Sequence, residues 1–278
     1  MPEPPGIDPS LPPAQYLAEM QRQIFEGWER AADFFDERWG DQGDEFHHDV
    51  FAPAAERMLG LERGASVVEF ACGNGAFARR LGRAGMRVQA TDLSPSLIEH
   101  ARRRTETISD QRVDATYQVL DATNERAIVS LPGQPFDAAV CIMGAMSMPA
   151  LRPMFGGAAR ILKPRGAFVL VTLHPAYATA GHRFLRAEED GQAHALGIDR
   201  YLSRFVTHGV TNVQQQERQV YFHRPLGELL NDAFAVGLTL DGIEELAAPE
   251  QPLEESRLMW NVLPEIPMAI SLRLRRPG

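Results

Sequence analysis

Two short stretches decide the fold: Val67-Val68-Glu69-Phe70-Ala71-Cys72-Gly73-Asn74-Gly75, and then Val88-Gln89-Ala90-Thr91-Asp92-Leu93. The first predicts a buried strand that runs into a glycine-rich turn. The second predicts another strand with an acid at its tip, and the residues between the two predict a helix. This order of elements is typical of a site for a nucleoside-containing ligand.

The alternation of strands and helices continues beyond these stretches. Ser94-Pro95 places an N-cap before a proline at the first helical position, and Lys163-Pro164-Arg165-Gly166 predicts a helix end followed by a turn. The pattern predicts an α/β fold, a Rossmann-like and mostly parallel sheet with helices on both faces. The predicted strands are 66–71, 87–92, 115–120, 137–142, 167–173, 238–246 and 268–275, and the predicted helices are 76–84, 95–106, 124–129, 150–162 and 225–236.

The charge of the chain bears on its partners. The 278 residues carry 28 Lys and Arg against 37 Asp and Glu, a net charge of −9, which disfavours a nucleic-acid substrate. We interpret the Arg102-Arg103-Arg104 cluster as a solvated helix terminus. No apolar run reaches membrane-spanning length and no signal peptide is visible, so we expect a cytoplasmic protein that does not bind membranes. The sequence leaves open whether it is a monomer or a homodimer.

Three acids fall at the ends of the first three predicted strands: Glu69, Asp92 and Asp121. In an open parallel sheet these ends form the ligand site. Glu69 suits the methionyl ammonium of S-adenosylmethionine, Asp92 suits the two ribose hydroxyls, and Asp121 suits the adenine amino group, with the Ala122 amide beside it. Gly73 and Gly75 allow close approach of the backbone, and the free amides of the next helix favour the carboxylate of the methionyl group.

A dinucleotide site is the alternative. Gly73-Asn74-Gly75-Ala76-Phe77-Ala78 fits the relaxed dinucleotide pattern, and Asp92 lies near the expected spacing. However, Glu69 would point a charge at the pyrophosphate of a dinucleotide, and a third acid follows the third strand. The chain beyond the fifth strand is also too short for a second mononucleotide unit. We therefore expect S-adenosylmethionine, with an NAD-dependent oxidoreductase as the weaker reading.

These motifs resemble those of class I S-adenosylmethionine-dependent methyltransferases, and more narrowly a bacterial group that acts on small molecules. The resemblance spans about residues 35–275 and implies a seven-stranded sheet whose last strand is antiparallel. The motifs that carry it are Glu69 to Ala78, Thr91-Asp-Leu-Ser-Pro, Val119-Leu-Asp-Ala-Thr, Phe136-Asp-Ala-Ala-Val-Cys, Leu162-Lys-Pro-Arg-Gly, Trp39-Gly40, Glu45-Phe46-His47, His174-Pro175, Tyr221-Phe-His-Arg-Pro-Leu and Leu263-Pro-Glu-Ile-Pro.

One departure from that group follows the fourth strand. Where an Asn-Met-Ala-Leu-Met-Asp-Met-like run is expected, this chain has Ile142-Met143-Gly144-Ala145-Met146-Ser147-Met148. The change leaves the identity of the methyl acceptor open, and it gives some weight to a protein that binds S-adenosylmethionine without methylating.

The cofactor residues that we expect are Trp39, Glu69, Ala71, Cys72, Gly73, Asn74, Gly75, Asp92, Leu93, Asp121, Ala122, Cys141 and Met143.

The organisation of the chain suggests where an acceptor binds. Residues 1–13 are proline-rich and predict a flexible arm, residues 14–60 predict a helical lid with a polar loop at 40–49, and residues 61–175 form the cofactor-binding core. Residues 176–220 are a polar insertion that caps the site, and residues 221–278 complete the sheet. The lid and the insertion then make the acceptor pocket.

Methyl transfer to oxygen or nitrogen of a small molecule, secondary metabolites included, is an in-line displacement. A general base is needed only where the acceptor loses a proton. His174, at the end of the fifth strand, is the predicted base, and a hydrogen-bonded structural histidine is the alternative. No metal is expected, because the His47-His48 segment lacks the usual ligand spacing. The predicted acceptor-binding residues are Met143, Met146, His47, His174 and Tyr177.

Overall fold

The computed structural model describes residues 13–107, 113–177, 183–186, 193–210, 214–247 and 265–278. The helices are α1 (Pro13–Trp39), α2 (Ala52–Leu59), α3 (Ala76–Arg83), α4 (Pro95–Glu106), α5 (Glu125–Val129), α6 (Arg152–Ile161) and α7 (Leu226–Phe234). The strands are β1 (Ser66–Phe70), β2 (Arg87–Asp92), β3 (Ala115–Val119), β4 (Phe136–Ile142), β5 (Leu162–Leu173), β6 (Arg183–Arg186), β7 (Ala193–Gly197), β8 (Phe205–Gly209), β9 (Gln219–His223), β10 (Thr239–Leu246) and β11 (Ala269–Arg275).

Seven strands form one sheet in the order β10-β11-β5-β4-β1-β2-β3. The strands β1 to β5 pair in parallel, and β11 lies antiparallel to both β5 and β10. This confirms the predicted Rossmann-like sheet and its antiparallel last strand. The order reverses between β1 and β4, because β1 leads to β2 on one side and β4 leads to β5 on the other. That switch point is where open parallel sheets bind ligands.

Apolar side chains cover both faces of the sheet, as continuous hydrophobic strands require. On one face α2 packs against β4, β5 and β11 and α3 packs against β2 and β3, with Phe77 and Leu81 fully buried. On the other face α6 packs against β5, with α5 and α7 on either side of it and with Phe155 and Phe168 at the centre of the core. The central strands are therefore buried, and their polar side chains lie at the carboxyl ends.

The segment before the sheet differs in part from the prediction. Residues 13–39 form a single helix, and residues 1–12 of the predicted arm lie outside the described residues. The predicted loop at 40–49 is wrong at its end, since His47–Phe51 forms a π-helical turn that continues into α2. The Asp44 side chain accepts a hydrogen bond from the His47 amide at 2.8 Å, and Phe51 is buried in the core. A capping acid and a buried ring thus extend the helix into a polar stretch.

Two antiparallel hairpins occupy much of the predicted insertion. The β6–β7 hairpin pairs Arg183 with Gly197, and the β8–β9 hairpin pairs Phe205 with His223. The second hairpin packs against α1 and against the turn that follows β4. Within the described parts of the chain, no helix is both long and apolar enough to cross a bilayer.

Candidate cofactor and acceptor site

A cavity of about 1060 Å³ opens at the carboxyl ends of β1, β2, β3 and β4. The strand ends form its floor, α1 forms one wall, and the β8–β9 hairpin forms another. Of the sequence-predicted site residues, Trp39, His47, Glu69, Ala71, Cys72, Gly73, Asn74, Asp92, Leu93, Asp121, Ala122, Met143 and Met146 line this cavity.

Glu69 is the buried acid of this site. Its side chain lies on β1, only 2% of the residue is exposed, and Oε2 has no hydrogen-bond partner. Burial raises the pKa of Glu69 to about 8, while the positive charge of Arg79 opposes the shift and the nearby Asp92 adds to it. The Ala78 amide hydrogen-bonds this carboxyl group, and the unpaired Oε2 favours a cationic hydrogen-bond donor of a ligand beside it.

Asp92 ends β2 and holds the glycine-rich loop. Its Oδ2 accepts a hydrogen bond from the Gly73 amide at 2.8 Å, and its Oδ1 accepts one from the Ser94 amide at 2.9 Å. Burial raises the pKa of Asp92, although these backbone hydrogen bonds act in the opposite direction. A carboxylate has about four lone-pair positions, so Asp92 retains acceptors for two ligand hydroxyls.

The backbone of the loop is left-handed at three points. Ala71 and Gly73 have φ of 55°, and Gly75 has φ of 78° at the start of α3. A Cβ on Gly73 would lie 2.7 Å from the Trp39 ring, so glycine is required for α1 to lie on the loop. A Cβ on Gly75 would lie 2.7 Å from the Tyr117 ring, so this glycine packs inward and does not line the cavity. Met143, at the tip of β4, has φ of 55° as well.

Asp121 follows β3 at the other side of the cavity. Its Oδ1 accepts hydrogen bonds from the amide and the hydroxyl of Thr123, both at 2.7 Å. One carboxylate oxygen is therefore held by the turn, and the second remains available to a ligand. Ala122, the next residue, lines the cavity and is buried.

A row of aromatic rings on α1 covers this site. The Phe35 ring stacks on Trp39 with 4.7 Å between centroids, and Trp28 lies 5.0 Å from Phe35 on the other side. All three rings line the cavity. The helix that carries them is held to α4 by polar contacts, including Glu29 to the Ser94 hydroxyl at 2.6 Å.

Arg103 and Arg104 contribute to these contacts. The prediction of a solvated helix terminus is wrong for the half-buried Arg104, whereas Arg102 and Arg103 are exposed as predicted. Arg104 Nε donates to Asp36 Oδ1 at 2.5 Å, and its Nη1 donates to Asp41. Asp36 is 4% exposed, and burial alone would raise its pKa, but the Arg104 and Asn74 hydrogen bonds lower it overall. A buried carboxylate requires such partners, and this explains why the arginines turn toward α1.

Four predicted residues lie outside the cavity lining: Gly75, Cys141, His174 and Tyr177. The His174 imidazole is buried, and its Nε2 lies 3.1 Å from Glu245 Oε1 on β10. Its Nδ1 accepts a hydrogen bond from the Ala176 amide, and the Tyr177 ring lies 4.7 Å away. This is the alternative that the sequence left open, a hydrogen-bonded structural histidine. Cys141 is fully buried within β4.

The cavity contains polar residues that sequence reasoning missed. Ser147, His208 and Tyr221 line it, on the turn after β4 and on the two strands of the β8–β9 hairpin. The β-branched and aromatic residues of Phe205-Val206-Thr207 and Val220-Tyr221-Phe222 are the signal that could have indicated the hairpin. Among the described residues, no group of three His, Cys, Asp or Glu side chains is arranged to hold a metal ion.

Comparison with known proteins agrees with this geometry. Residues 67–166 match the model of a methyltransferase domain family. A solved S-adenosylmethionine-dependent methyltransferase from Mesorhizobium loti is 27% identical, with a TM-score of 0.63, over 81% of this chain and 96% of that one. The demethylmenaquinone methyltransferase of Tropheryma whipplei (strain Twist) is 28% identical over 44% of this chain and 48% of its own length.

A third relative is the ubiquinone biosynthesis O-methyltransferase of Xanthomonas campestris pv. campestris (strain B100), which is 32% identical over 40% of this chain and 44% of its own length. The chain thus spans about half the length of the curated relatives it matches. Residues 67–166 thus match a methyltransferase domain, and the seven-stranded sheet has the fold of the solved S-adenosylmethionine-dependent methyltransferase. These matches agree with the resemblance to S-adenosylmethionine-dependent methyltransferases, a class whose cofactor is S-adenosylmethionine.

Proposed function

We propose that this protein transfers a methyl group from S-adenosylmethionine to an oxygen or nitrogen atom of a small molecule, secondary metabolites included. The observation that carries the proposal is Glu69, a buried residue of the cavity lining whose Oε2 has no hydrogen-bond partner. The α-ammonium of the cofactor supplies the charge and the hydrogen-bond donor that this group lacks. A dinucleotide would bring a pyrophosphate toward the same acid, where like charges repel.

The other strand ends fit the remaining parts of the cofactor. The Asp92 carboxylate accepts hydrogen bonds from the ribose hydroxyls, through the lone pairs that are not used by the Gly73 and Ser94 amides. Asp121 accepts from the adenine amino group through its second oxygen, and Ala122 contributes its amide. When bound, the cofactor supplies an electrophilic methyl group on a sulfonium. The remaining task of the protein is to bind and orient the two reactants and to exclude water from them.

The acceptor binds between α1, the π-helical turn and the β8–β9 hairpin, so residues 14–60 act as a lid and residues 176–220 as a cap. Met143 and Met146 give this chamber an adaptable apolar lining. His47 also lines it, and burial lowers the pKa of its imidazole against the opposing charge of Asp44. A neutral His47 is therefore able to take up a proton from the methyl acceptor. His174 is poorly placed for this role, because it does not line the cavity.

Titration calorimetry of the purified protein with S-adenosylmethionine, S-adenosylhomocysteine and NAD tests the proposal. We expect micromolar binding of the first two ligands and none of NAD. Selective NAD binding would overturn the assignment. Binding of S-adenosylmethionine without turnover, across a broad screen of hydroxyl and amine acceptors, would favour the non-methylating alternative.

A further inference from the structure

Three polar atoms of the acceptor chamber are buried without a hydrogen-bond partner among the described residues. They are Ser147 Oγ, His208 Nε2 and the Tyr221 hydroxyl oxygen. All three residues line the cavity that also contains Glu69 and Asp92. Buried polar groups are nearly always paired, because an unpaired one loses its hydration without compensation. Three such atoms in one chamber indicate that a bound molecule supplies their partners.

Contacts between β9 and the turn after β4 fix the positions of two of these polar residues. The strand β9, which carries Tyr221, packs on the turn that carries Ser147. Arg224, at the end of β9, is buried and donates hydrogen bonds to the carbonyl oxygens of Ala145 and Met148 on either side of that turn. The position of the Tyr221 strand against the Ser147 turn is therefore held by backbone contacts on both sides. His208 lies on β8, one register position beyond the Thr207–Tyr221 pair.

Apolar side chains make up much of the remaining lining, which also includes Arg38, Asp44 and Glu45. Met143, Met146, Met148 and Phe184 line the chamber, and such thioether and aromatic surfaces favour flat ring systems. Arg22 lies at its rim but is paired with Glu19 at 2.6 Å and Glu26 at 2.5 Å. Burial raises the pKa of the Tyr221 hydroxyl, so it stays protonated and can donate. These features suit a neutral molecule better than an anionic one.

We propose that the acceptor is a neutral, ring-containing molecule whose hydroxyl group is bound by Tyr221 and Ser147. This inference rests on the proposed function, since it assigns the acceptor side of the same cavity. A hydroxyl group both donates and accepts, and it matches two protein hydroxyls. Tyr221 and Ser147 are specificity-determining groups, and neither of them is a predicted cofactor ligand.

Binding of simple probes to the protein saturated with S-adenosylhomocysteine tests this assignment without requiring turnover. The probes are 2-naphthol, naphthalene and 2-naphthoate, measured by fluorescence titration. We expect 2-naphthol to bind about tenfold more tightly than either of the others, because only its hydroxyl pairs the buried polar groups. The variants Tyr221→Phe and Ser147→Ala should each weaken 2-naphthol binding about three- to tenfold and leave naphthalene binding unchanged.

The control variants Tyr16→Phe and Ser130→Ala remove the same hydroxyl groups outside the cavity lining, and both should bind all three probes as the wild type does. Equal binding of 2-naphthol and naphthalene, tighter binding of 2-naphthoate, or no binding of any probe to the saturated protein would each overturn the inference. If S-adenosylhomocysteine itself does not bind, the proposed function fails instead, so the two failures are distinguishable.

Discussion

Asn74, in the glycine-rich loop, donates a hydrogen bond through Nδ2 to Asp36 Oδ1 on α1, at 3.1 Å. The same Nδ2 donates to the Gly40 carbonyl oxygen at 2.8 Å. Asp36 is buried and is also paired with Arg104. The helix that covers the cavity and the loop that binds the cofactor are therefore held together by one buried polar network, and their stabilities should be linked.

Asp36→Asn should lower the free energy of unfolding by about 3 kcal/mol, because it leaves the Arg104 charge without its buried partner. Thermal unfolding measures the change, and calorimetry should show weaker S-adenosylhomocysteine binding as the loop loosens. The matched control is Asp33→Asn on the same helix. The Asp33 side chain is 88% exposed although it contacts His100, so its loss should cost under about 1 kcal/mol. Equal losses for the two variants would contradict the linked network.

Gly73→Ala should be more damaging than Gly60→Ala, although both glycines have nearly the same left-handed φ, 55° and 56°. Each change introduces backbone strain of about 1–2 kcal/mol. Only Gly73 also meets a neighbour, the Trp39 ring at 2.7 Å, whereas the nearest atom to a Cβ on Gly60 is 3.9 Å away. Thermal unfolding and S-adenosylhomocysteine binding, measured for both variants, give the extra loss of stability and affinity at Gly73. The double variant Gly73→Ala/Trp39→Ala should recover most of the stability that the clash with the Trp39 ring costs. No recovery in the double variant would argue against that contact.

Asp92→Asn should weaken S-adenosylhomocysteine binding ten- to hundredfold, since a charged acceptor for the ribose hydroxyls becomes a neutral amide. Circular dichroism should show an intact fold. Asp241→Asn is the control, because Asp241 pairs with Arg273 and Arg275 at the far edge of the sheet. Unchanged affinity in the folded Asp92 variant would count against the assigned ribose contact.

The raised pKa of Glu69 predicts a pH-dependent stability. Between the ordinary value of 4.5 and the folded value of about 8, the unfolded chain ionises at Glu69 while the folded chain keeps its proton. The contribution of Glu69 to stability is therefore fully present below pH 4.5 and is lost as the pH rises to about 8. Relative to wild type, Glu69→Gln should gain several degrees in Tm between pH 5 and pH 8.

The exposed Glu106 provides the control for this measurement, because Glu106→Gln should change Tm equally at all pH values in that range. A constant difference between Glu69→Gln and wild type would show that the Glu69 carboxyl ionises in the folded protein as it does in water. Excess S-adenosylhomocysteine should reduce the difference, since the cofactor ammonium favours the ionised carboxylate.

His174→Gln should lower stability and leave S-adenosylhomocysteine affinity within about twofold of wild type. The imidazole bonds Glu245 Oε1 and the Ala176 amide and does not line the cavity. Losing one partner of a partly buried contact costs about 1–3 kcal/mol. Thermal unfolding and calorimetry check the two parts separately. A pH–rate profile of methyl transfer that loses its acidic limb, the fall in rate at low pH, in this variant would instead restore His174 as the base.

Local sequence determined much of the core of this protein. The alternation that includes Val67, Val88 and Val140 specified the parallel strands, because residues buried on both faces of a sheet must be apolar. Ser94-Pro95 marked the start of α4, where the serine side chain accepts from the Leu97 amide. Glu69, Asp92 and Asp121 were predicted at the cavity because strand ends of a parallel sheet meet at one edge.

Only the tertiary structure decided which distant segments meet. His174 follows β5 on that same edge, but β11 and β10 add beside β5 and place Glu245 against its imidazole. The arginines of α4 look like a solvated terminus until α1 brings the buried Asp36 to them. Tyr221 and Ser147 are 74 residues apart in sequence, and no local periodicity relates them. Such contacts depend on how the lid and hairpins pack, since burial and pairing of polar groups are properties of the assembled surface.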